Sequence, residues 1–279
     1  MNDGSWVDLR LDAETDVESI RAHFEGHAYD PHWHDCYLVG FTEQGVQQFN
    51  CRKTLHSSVA GQAFLLEPGE LHDGRAPVAG GFTYSTLYLP PKWLDAQLRE
   101  LFSEAPDDCL PGFAETLANE PDLFDNISYA FQAIHAKELR IVRHAAVDAL
   151  LDKLSRRMHW RKRLDSSARM PTVAIQTRDY LHAHLDRDVG LDELAAINGV
   201  DRFRLSRAFK ASFGLPPHAY LVQLRLSLAR KLLRQGLAPA AVAVELGFSD
   251  QSHLGRWFRR AYGLSPAAYR KQCSNLPDA

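Results

Sequence analysis

The sequence lacks the cysteine patterns and long apolar runs that mark secreted, zinc-binding and membrane proteins. Its four cysteines are Cys36, Cys51, Cys109 and Cys273, and no two have the C-x-x-C spacing of a zinc knuckle or redox pair. The amino terminus has no apolar run of signal-peptide type, and no stretch approaches the ~20 apolar residues of a membrane span. These absences predict a cytoplasmic protein with free thiols and no membrane partner.

Each half of the chain is poor in charge of one sign. Residues 1–160 contain 13 basic against 25 acidic residues, a net charge of −12, whereas residues 161–279 contain 19 against 10, a net charge of +9. An acidic half joined to a basic half is expected when only the basic half meets a polyanion such as nucleic acid. A chance bias of surface charge is the alternative.

Glycine, proline and apolar patterning predict a two-domain α+β protein. Short β-branched and aromatic runs separated by turn residues between position 17 and about 90 predict a small β-barrel or sandwich. Helical spacing follows at Trp93–Phe102, Leu123–Ile134 and Leu139–Met158. The rest reads as an all-α domain. The predicted boundaries are 1–160 for the first domain, 161–171 for a charged linker, 172–272 for the second domain and 273–279 for a tail.

The all-α half contains an approximate duplication with an offset of 49 residues. The run from Leu205 to Tyr220 is repeated from Leu254 to Tyr269, with Phe, Gly and Pro in matching places. Two copies of one supersecondary unit explain this pattern. Each copy has the features of a helix-turn-helix: an apolar first helix, a turn at Asn198-Gly199 or Gly247-Phe248, and a second helix with an apolar stripe.

Caps and apolar stripes can be placed within each copy. We predict that Asp192 and Asp201 cap the two helices of the first copy, and that Ser249 or Asp250 caps the second helix of the second copy. Leu205 and Phe209 are predicted to be buried, with Leu254 and Phe258 at the matching places. Gly214 and Gly263 are predicted to end the second helices.

The faces opposite the apolar stripes carry cationic and polar side chains suited to DNA. Arginine and glutamine pair with purine edges in the major groove, and further basic side chains neutralise phosphates. The predicted DNA-binding residues are Arg202, Phe203, Ser206, Arg207 and Lys210 in the first copy and Gln251, Ser252, His253, Gly255, Arg256 and Arg259 in the second. A merely solvated helix face is the alternative, and the presence of turn, cap and basic face in both copies argues against it.

Residues 172–271 resemble the DNA-binding domain of the AraC/XylS family of transcription regulators, and the run GFSDQSHLGRWFRRAYGLSPAAYR from Gly247 to Arg270 carries the family signature. The resemblance implies seven helices, with a linker helix near Ala219–Gln235. It implies two recognition helices in successive major-groove segments of promoter DNA, about 34 Å apart. It also implies a homodimer that contacts RNA polymerase. The helix Leu139–Met158 is either a dimerisation element or an ordinary helix packed on the barrel.

The first half resembles, more loosely, the cupin-like sensor domain of these regulators. His32 and His34 alternate onto one strand face, and His72 follows a Pro-Gly turn that lets it join them. The preferred interpretation is a small-molecule effector site in the barrel. The candidate effector-binding residues are His32, His34, Glu43, Arg52, His72, Arg75 and Tyr84. Trp33 and Tyr37 lie on the other face and are predicted to pack.

Three alternatives remain open for the first half. A metal-dependent cupin enzyme is one, but such enzymes place a glutamate four or five residues past the second histidine, where this sequence has Leu38 and Val39. No metal or other cofactor is therefore predicted. Ordinary hydrogen-bonded histidines are the second alternative. A regulator that answers to a protein partner is the third.

Overall fold

A computed structural model of the protein describes residues 4–101, 109–162 and 170–273. The chain divides into two compact units, which lie mainly on either side of position 163. The predicted linker and tail fall largely outside the described ranges, so the domain boundaries stay predictions. None of the described helices is both long and apolar enough to cross a membrane.

The described part of the first unit consists of a nine-stranded sheet, three helices and a separate pair of strands. Its strands are β1 (Trp6–Leu11), β2 (Glu18–Phe24), β3 (His27–His32), β4 (Tyr37–Cys51), β5 (Thr54–Val59), β6 (Ala63–Leu66), β7 (His72–Arg75), β8 (Phe82–Leu89), β9 (Cys109–Phe113), β10 (Leu117–Ala118) and β11 (Met158–Lys162). Its helices are α1 (Pro91–Leu101), α2 (Pro121–His135) and α3 (Arg140–Ser155). The sequence analysis missed β1 and β9 to β11. β9 and β11 pair with each other across the helices, so neither shows a local hairpin signal.

The fifteen-residue strand β4 organises the sheet. Its first half pairs with β6 and β8, and its second half pairs with β5 and β7. A register shift between Thr42 and Gln44 inserts one extra residue, Glu43, opposite β8. Such a bulge bends a strand and reverses which side chains face each side beyond it. In the described sheet β1, β3, β5 and β10 each pair with a single neighbour, so the predicted barrel is an open one.

Helices cover one face of this sheet, and the other face is the concave interior. Tyr37, Val39 and Phe41 pack with Leu94, Ile127 and other apolar residues of α1 to α3 in one buried cluster. Tyr37 is thus a packing residue, as predicted. Leu139 directly precedes α3, which begins at Arg140, and is 73% exposed.

The described part of the second unit has the predicted seven helices and no strands. They are α4 (Thr172–Ala183), α5 (Leu191–Asn198), α6 (Arg202–Phe213), α7 (Pro217–Arg234), α8 (Pro239–Glu245), α9 (Gln251–Tyr262) and α10 (Pro266–Cys273). The helices α6 and α9 are the second helices of the two copies, twelve residues each and 49 residues apart. α7 is the linker helix.

The core of the second unit is built from the predicted stripes. Leu205, Phe209, Leu254 and Phe258 are each fully buried. In the first helix-turn-helix, Leu205 and Phe209 pack against Leu181 of α4 and Leu194 of α5. One cap was predicted wrongly: Gly190 in extended conformation precedes α5, so Asp192 lies inside its first turn and does not cap it.

Candidate DNA-reading surface and sensor site

Aspartate caps set the start of both candidate reading helices. The Asp201 carboxylate accepts hydrogen bonds from the backbone N–H groups of Phe203 (3.0 Å) and Arg204 (2.9 Å). The Asp250 carboxylate, 49 residues later, accepts one from the N–H of His253 at 2.7 Å. The N–H of Arg204 above all holds the pKa of Asp201 below its usual value. Matching caps make α6 and α9 begin at corresponding positions of the two copies.

The first reading surface is the exposed face of α6. Arg202, Arg207 and Lys210 are exposed, Ser206 is half-buried, and Phe203 is 65% exposed. The guanidinium of Arg202 lies 5.1 Å from the centre of the Phe203 ring. The ring of Phe203 therefore lies on the surface, and α6 presents an apolar ring beside several cations.

The second reading surface is the exposed face of α9, and it differs from the prediction at Gly255. Gln251, Ser252, Arg256 and Arg259 are exposed. Gly255 is buried, and a Cβ at this position would lie 3.6 Å from Nη2 of Arg259. Since i and i+4 side chains share a helix face, the arginine lies over the glycine. Gly255 thus makes room for Arg259 and does not itself offer a surface.

His253 also departs from its predicted role. The indole N–H of Trp257 donates to Nε2 of His253 at 3.0 Å, and Nδ1 lies 3.1 Å from the Ser249 hydroxyl. The ring packs edge-on against Phe248 at 5.5 Å. An indole is only a donor, so Nε2 accepts this hydrogen bond, and the backbone N–H of Ser249 lies 3.4 Å from Nδ1. Both ring nitrogens are engaged within the turn, and His253 holds the turn of the second copy.

Sequence reasoning missed Arg225, which joins the two helix-turn-helix units. This buried residue of α7 donates from Nε to the Leu185 carbonyl (2.8 Å) and from Nη2 to the Arg187 carbonyl (2.7 Å), just before the first helix-turn-helix. Its Nη1 donates to the carbonyl of Gly247, in the turn of the second helix-turn-helix, at 2.8 Å. Burial lowers the pKa of Arg225. An arginine within the leucine pattern of α7 was the signal available in the sequence.

The structure brings the three candidate histidines together inside the first unit. His32 ends β3 and His72 begins β7, where the two residues pair across the strands, and His34 follows β3. The Nε2 atoms of His32 and His34 are 3.0 Å apart, and the ring centres of His32 and His72 are 4.5 Å apart. All three are buried or nearly so, and burial lowers the pKa of His72. We call this group the histidine cluster.

Of the other candidate effector residues, Tyr84 shares the interior with the histidine cluster. Its hydroxyl is hydrogen-bonded to that of Tyr29, whose ring centre lies 5.5 Å from that of His32. Burial raises the pKa of both tyrosines. The interior therefore combines three imidazoles with a buried pair of neutral phenols.

Three candidate effector residues lie away from the cluster. Glu43, at the bulge of β4, points to the helix side and binds the Arg21 guanidinium (2.7 and 3.0 Å) and the Ser85 hydroxyl (2.5 Å). Arg75 is exposed and donates to Gln48. Strand alternation explains this, because His72 and Arg75 are three residues apart on one strand and so face opposite sides.

Arg52 is the third of these outlying residues. It occupies the tight turn between β4 and β5 with a φ of +51°. Its guanidinium is tied to the carboxylates of Glu67 and Glu70 and to the carbonyl of Phe113. Arg161 pairs with Glu67 as well, so two cations compensate the two carboxylates, and Arg52 holds the turn against β9.

Glu43 lines a groove between the sheet and α2. The groove has a volume of about 880 Å³, and its walls include Arg21, Phe41, Phe124 and His135. Apolar walls with a few charged groups are typical of small-molecule sites. The groove is therefore a candidate ligand site of the first unit, in addition to the one predicted at the histidine cluster.

Comparison with protein families identifies both units. Residues 14–174 match the AraC-like ligand-binding domain, and residues 194–272 match a helix-turn-helix domain. The first match alone covers more than half of the chain. The protein belongs to the AraC family of transcription regulators. The predicted family and function class are thereby confirmed.

Relatives and solved structures agree with membership of the AraC family. The transcriptional regulator YbfI of Bacillus subtilis is 27% identical over 88% of each chain. The arabinose operon regulatory protein of Salmonella typhimurium is 28% identical over 85% of this chain and 84% of its own. Unsaturated-fatty-acid-bound ToxT from Vibrio cholerae aligns with a TM-score of 0.53 at 13% identity, covering 100% of this chain and 99% of its own. The AraC-type two-domain fold is thus confirmed, and these relatives are named as regulators.

Proposed function

We propose that this AraC-type regulator reads promoter DNA with α6 and α9 in successive major-groove segments, and that a small molecule in the first unit controls this reading. The observation that carries the proposal is the match of two twelve-residue helices, 49 residues apart, each capped by an aspartate and exposing cations at the same positions. One helix of this kind is a polar surface, whereas two in register supply the paired readout of a double helix-turn-helix.

The exposed side chains divide into base readers and phosphate contacts. Arg207 and Arg256 lie mid-helix at matching positions, where bidentate hydrogen bonds to guanine are expected. Gln251 suits an adenine edge, and the exposed ring of Phe203 suits a thymine methyl group. The proposed reading set is Arg202, Phe203, Ser206, Arg207, Lys210, Gln251, Ser252, Arg256 and Arg259, with the last residue of each helix's set, Lys210 or Arg259, on the phosphates.

The test is binding to DNA fragments that the purified protein enriches from random or genomic DNA. Arg207→Ala and Arg256→Ala should each weaken specific binding by about 1–3 kcal/mol and relax base preference at one position. Lys231→Ala, an exposed residue of the linker helix, is the matched control. If both arginine variants bound the selected DNA like the control, the proposed reading surfaces would be wrong.

The effector site is proposed at the histidine cluster in preference to the groove beside Glu43. Three buried imidazoles next to the Tyr29–Tyr84 pair offer converging polar groups in an apolar interior, which is what orients a small ligand. The ToxT structure with a bound unsaturated fatty acid gives a precedent for a small apolar acid as ligand of this fold.

A thermal-shift screen of metabolites and fatty acids tests this site, because a ligand of the folded state raises the melting temperature by mass action. A hit should lose its effect in His34→Gln and keep it in Glu43→Gln. The opposite pattern would move the effector to the groove. A hit that both variants keep would place the ligand elsewhere, and a screen without any hit for the unaltered protein would argue for control by a protein partner.

We further propose a cytoplasmic homodimer that contacts RNA polymerase at its promoters. Support for the dimer comes from exposed apolar side chains on the helix side of the first unit: Tyr129 on α2 is 49% exposed, Leu139 73% and Ile141 76%. Exposed apolar side chains suit a subunit interface when they lie together in one patch. Ile141→Glu should convert a dimer into a monomer in analytical ultracentrifugation, and an unchanged sedimentation coefficient would place the interface elsewhere.

A further inference from the structure

The histidine cluster has the geometry of a metal site. The ligand atoms of His32, His34 and His72 all lie within 4.8 Å of one another, and these residues come from two strands and a connecting segment. Sequence reasoning predicted no metal here because a carboxylate is missing from the pattern. A carboxylate is not required, however, because three converging histidines alone can supply the protein ligands of a catalytic-type zinc site.

Backbone carbonyls orient two of the three rings. Nδ1 of His32 donates to the Asp30 carbonyl at 2.8 Å, and Nδ1 of His72 donates to the Glu70 carbonyl at 2.9 Å. A carbonyl only accepts, so Nδ1 carries the proton and Nε2 carries the lone pair of each neutral ring. This is the arrangement that accompanies histidine ligation in metalloproteins, where an outer acceptor fixes the tautomer and aims the other nitrogen at the ion.

The spacing of the nitrogens is close to what a metal requires. Metal–nitrogen bonds of about 2.0–2.1 Å in a tetrahedron put ligand nitrogens about 3.3 Å apart. The Nε2 atoms of His32 and His34 are 3.0 Å apart, and the widest separation in the cluster is within 4.8 Å. Side-chain movements of about an ångström would therefore close the site, without rearrangement of the strands that hold it.

We propose that His32, His34 and His72 bind one divalent transition metal ion of the zinc, nickel or copper type. Three neutral imidazoles suit these borderline ions and do not suit the hard ions magnesium and calcium, which take oxygen ligands. The protein supplies three ligands, and a fourth position falls to water or to an anionic small molecule. The small molecule in the fourth position would be the effector, an assignment that rests on the proposed function. The metal site itself does not rest on it.

The test uses tag-free, full-length protein stripped of metal and then titrated with Co²⁺ or Zn²⁺. We expect one ion per chain, with the intense visible absorption of tetrahedral cobalt. His72→Gln and His34→Gln should weaken binding by more than about 100-fold, since changing even an outer-shell partner costs 10–100-fold. His159→Gln, an exposed histidine of β11, is the control and should bind like the unaltered protein.

Specific DNA binding, measured on the same samples without metal, shows that each variant is folded and tests the proposed function separately. Absence of stoichiometric binding by the unaltered protein would overturn the metal site. So would metal binding by the cluster variants equal to that of the His159 control. A protein that binds metal but no specific DNA would leave the metal site standing and refute the reading surfaces.

Discussion

Arg225 offers the sharpest test of how the DNA-reading unit is held together. Replacement by methionine keeps the length of the aliphatic stem and removes all three hydrogen bonds to the carbonyls of Leu185, Arg187 and Gly247. It also removes the guanidinium from its place 5.6 Å from the centre of the Phe248 ring. The change therefore uncouples the approach to the first helix-turn-helix from the turn of the second.

The expected loss of stability follows from those contacts. A hydrogen bond to a charged donor contributes about 1.5–3 kcal/mol, and three would give ~5–9 kcal/mol if they were additive. The cost of burying the guanidinium, which is also what lowers the pKa of Arg225, offsets part of this gain. A net loss of about 3 kcal/mol is therefore expected, or a fall of roughly 15 °C in the melting temperature of a domain of this size.

The same change should alter DNA binding in a way that simple destabilisation does not. With Arg225 in place, binding of one reading helix positions the other, so both contribute to one binding event. Without it, the second helix is tethered less rigidly and its effective concentration at the second half-site falls. Fluorescence anisotropy at low temperature, where the variant stays folded, should show at least a tenfold loss on a two-half-site DNA and little change on DNA with one half-site scrambled.

Two comparisons make this prediction falsifiable. Arg225→Lys keeps the charge but not the three-way fork and should fall between the unaltered protein and the methionine variant. His218→Gln, in the same helix but exposed, should change neither property. Equal weakening on the full and the scrambled DNA by Arg225→Met, or a melting temperature like that of His218→Gln, would refute the reasoning.

Three further predictions concern single residues. Asp250→Ala removes the cap of α9 and should lower stability by about 1 kcal/mol in urea unfolding; no change would mean that Ser249 takes over the cap. Gly247→Ala should destabilise more than Gly199→Ala, although both have positive φ, because a Cβ at 247 would lie 2.6 Å from a backbone carbonyl oxygen and one at 199 meets nothing within 4 Å; equal losses would contradict the packing argument. Burial lowers the pKa of His135 below its value in the unfolded chain, so its contribution to stability is present above about pH 6.5 and is lost as the pH falls below it. His135→Gln should therefore flatten the decline in melting temperature between pH 7 and 5, and an unchanged slope would show that His135 does not cause the decline.

The DNA-reading unit was predictable from sequence because its signals are local. Helix caps, glycine turns and stripes spaced by three and four residues depend on neighbours within one or two turns, and Asp201, Asp250 and Gly214 all act as predicted. Asp192 shows the limit, since an acidic residue at a helix start fits both a cap and the first turn. Gly255 shows another limit, because a residue four positions away decides its exposure.

The sensor unit was less predictable because strand faces depend on register. The alternation rule predicted that His32 and His34 share one strand face and that Tyr37 lies on the other, and Tyr37 packs against the helices. The position of Glu43 could not be predicted, because it depends on a bulge that is visible only from the pairing of β4 with β8.

Sequence alone determined the family, the double helix-turn-helix and the cationic faces of α6 and α9. Each of these features depends on residues that are close to one another along the chain. Only the tertiary structure decided that the ligand atoms of three histidines lie within 4.8 Å of one another. It also decided that Arg225 joins the turn of the second helix-turn-helix to the segment before the first, each more than twenty residues away along the chain. Contacts of this kind depend on how distant segments approach one another, and the free energy that sets this approach comes from the packing of the whole core.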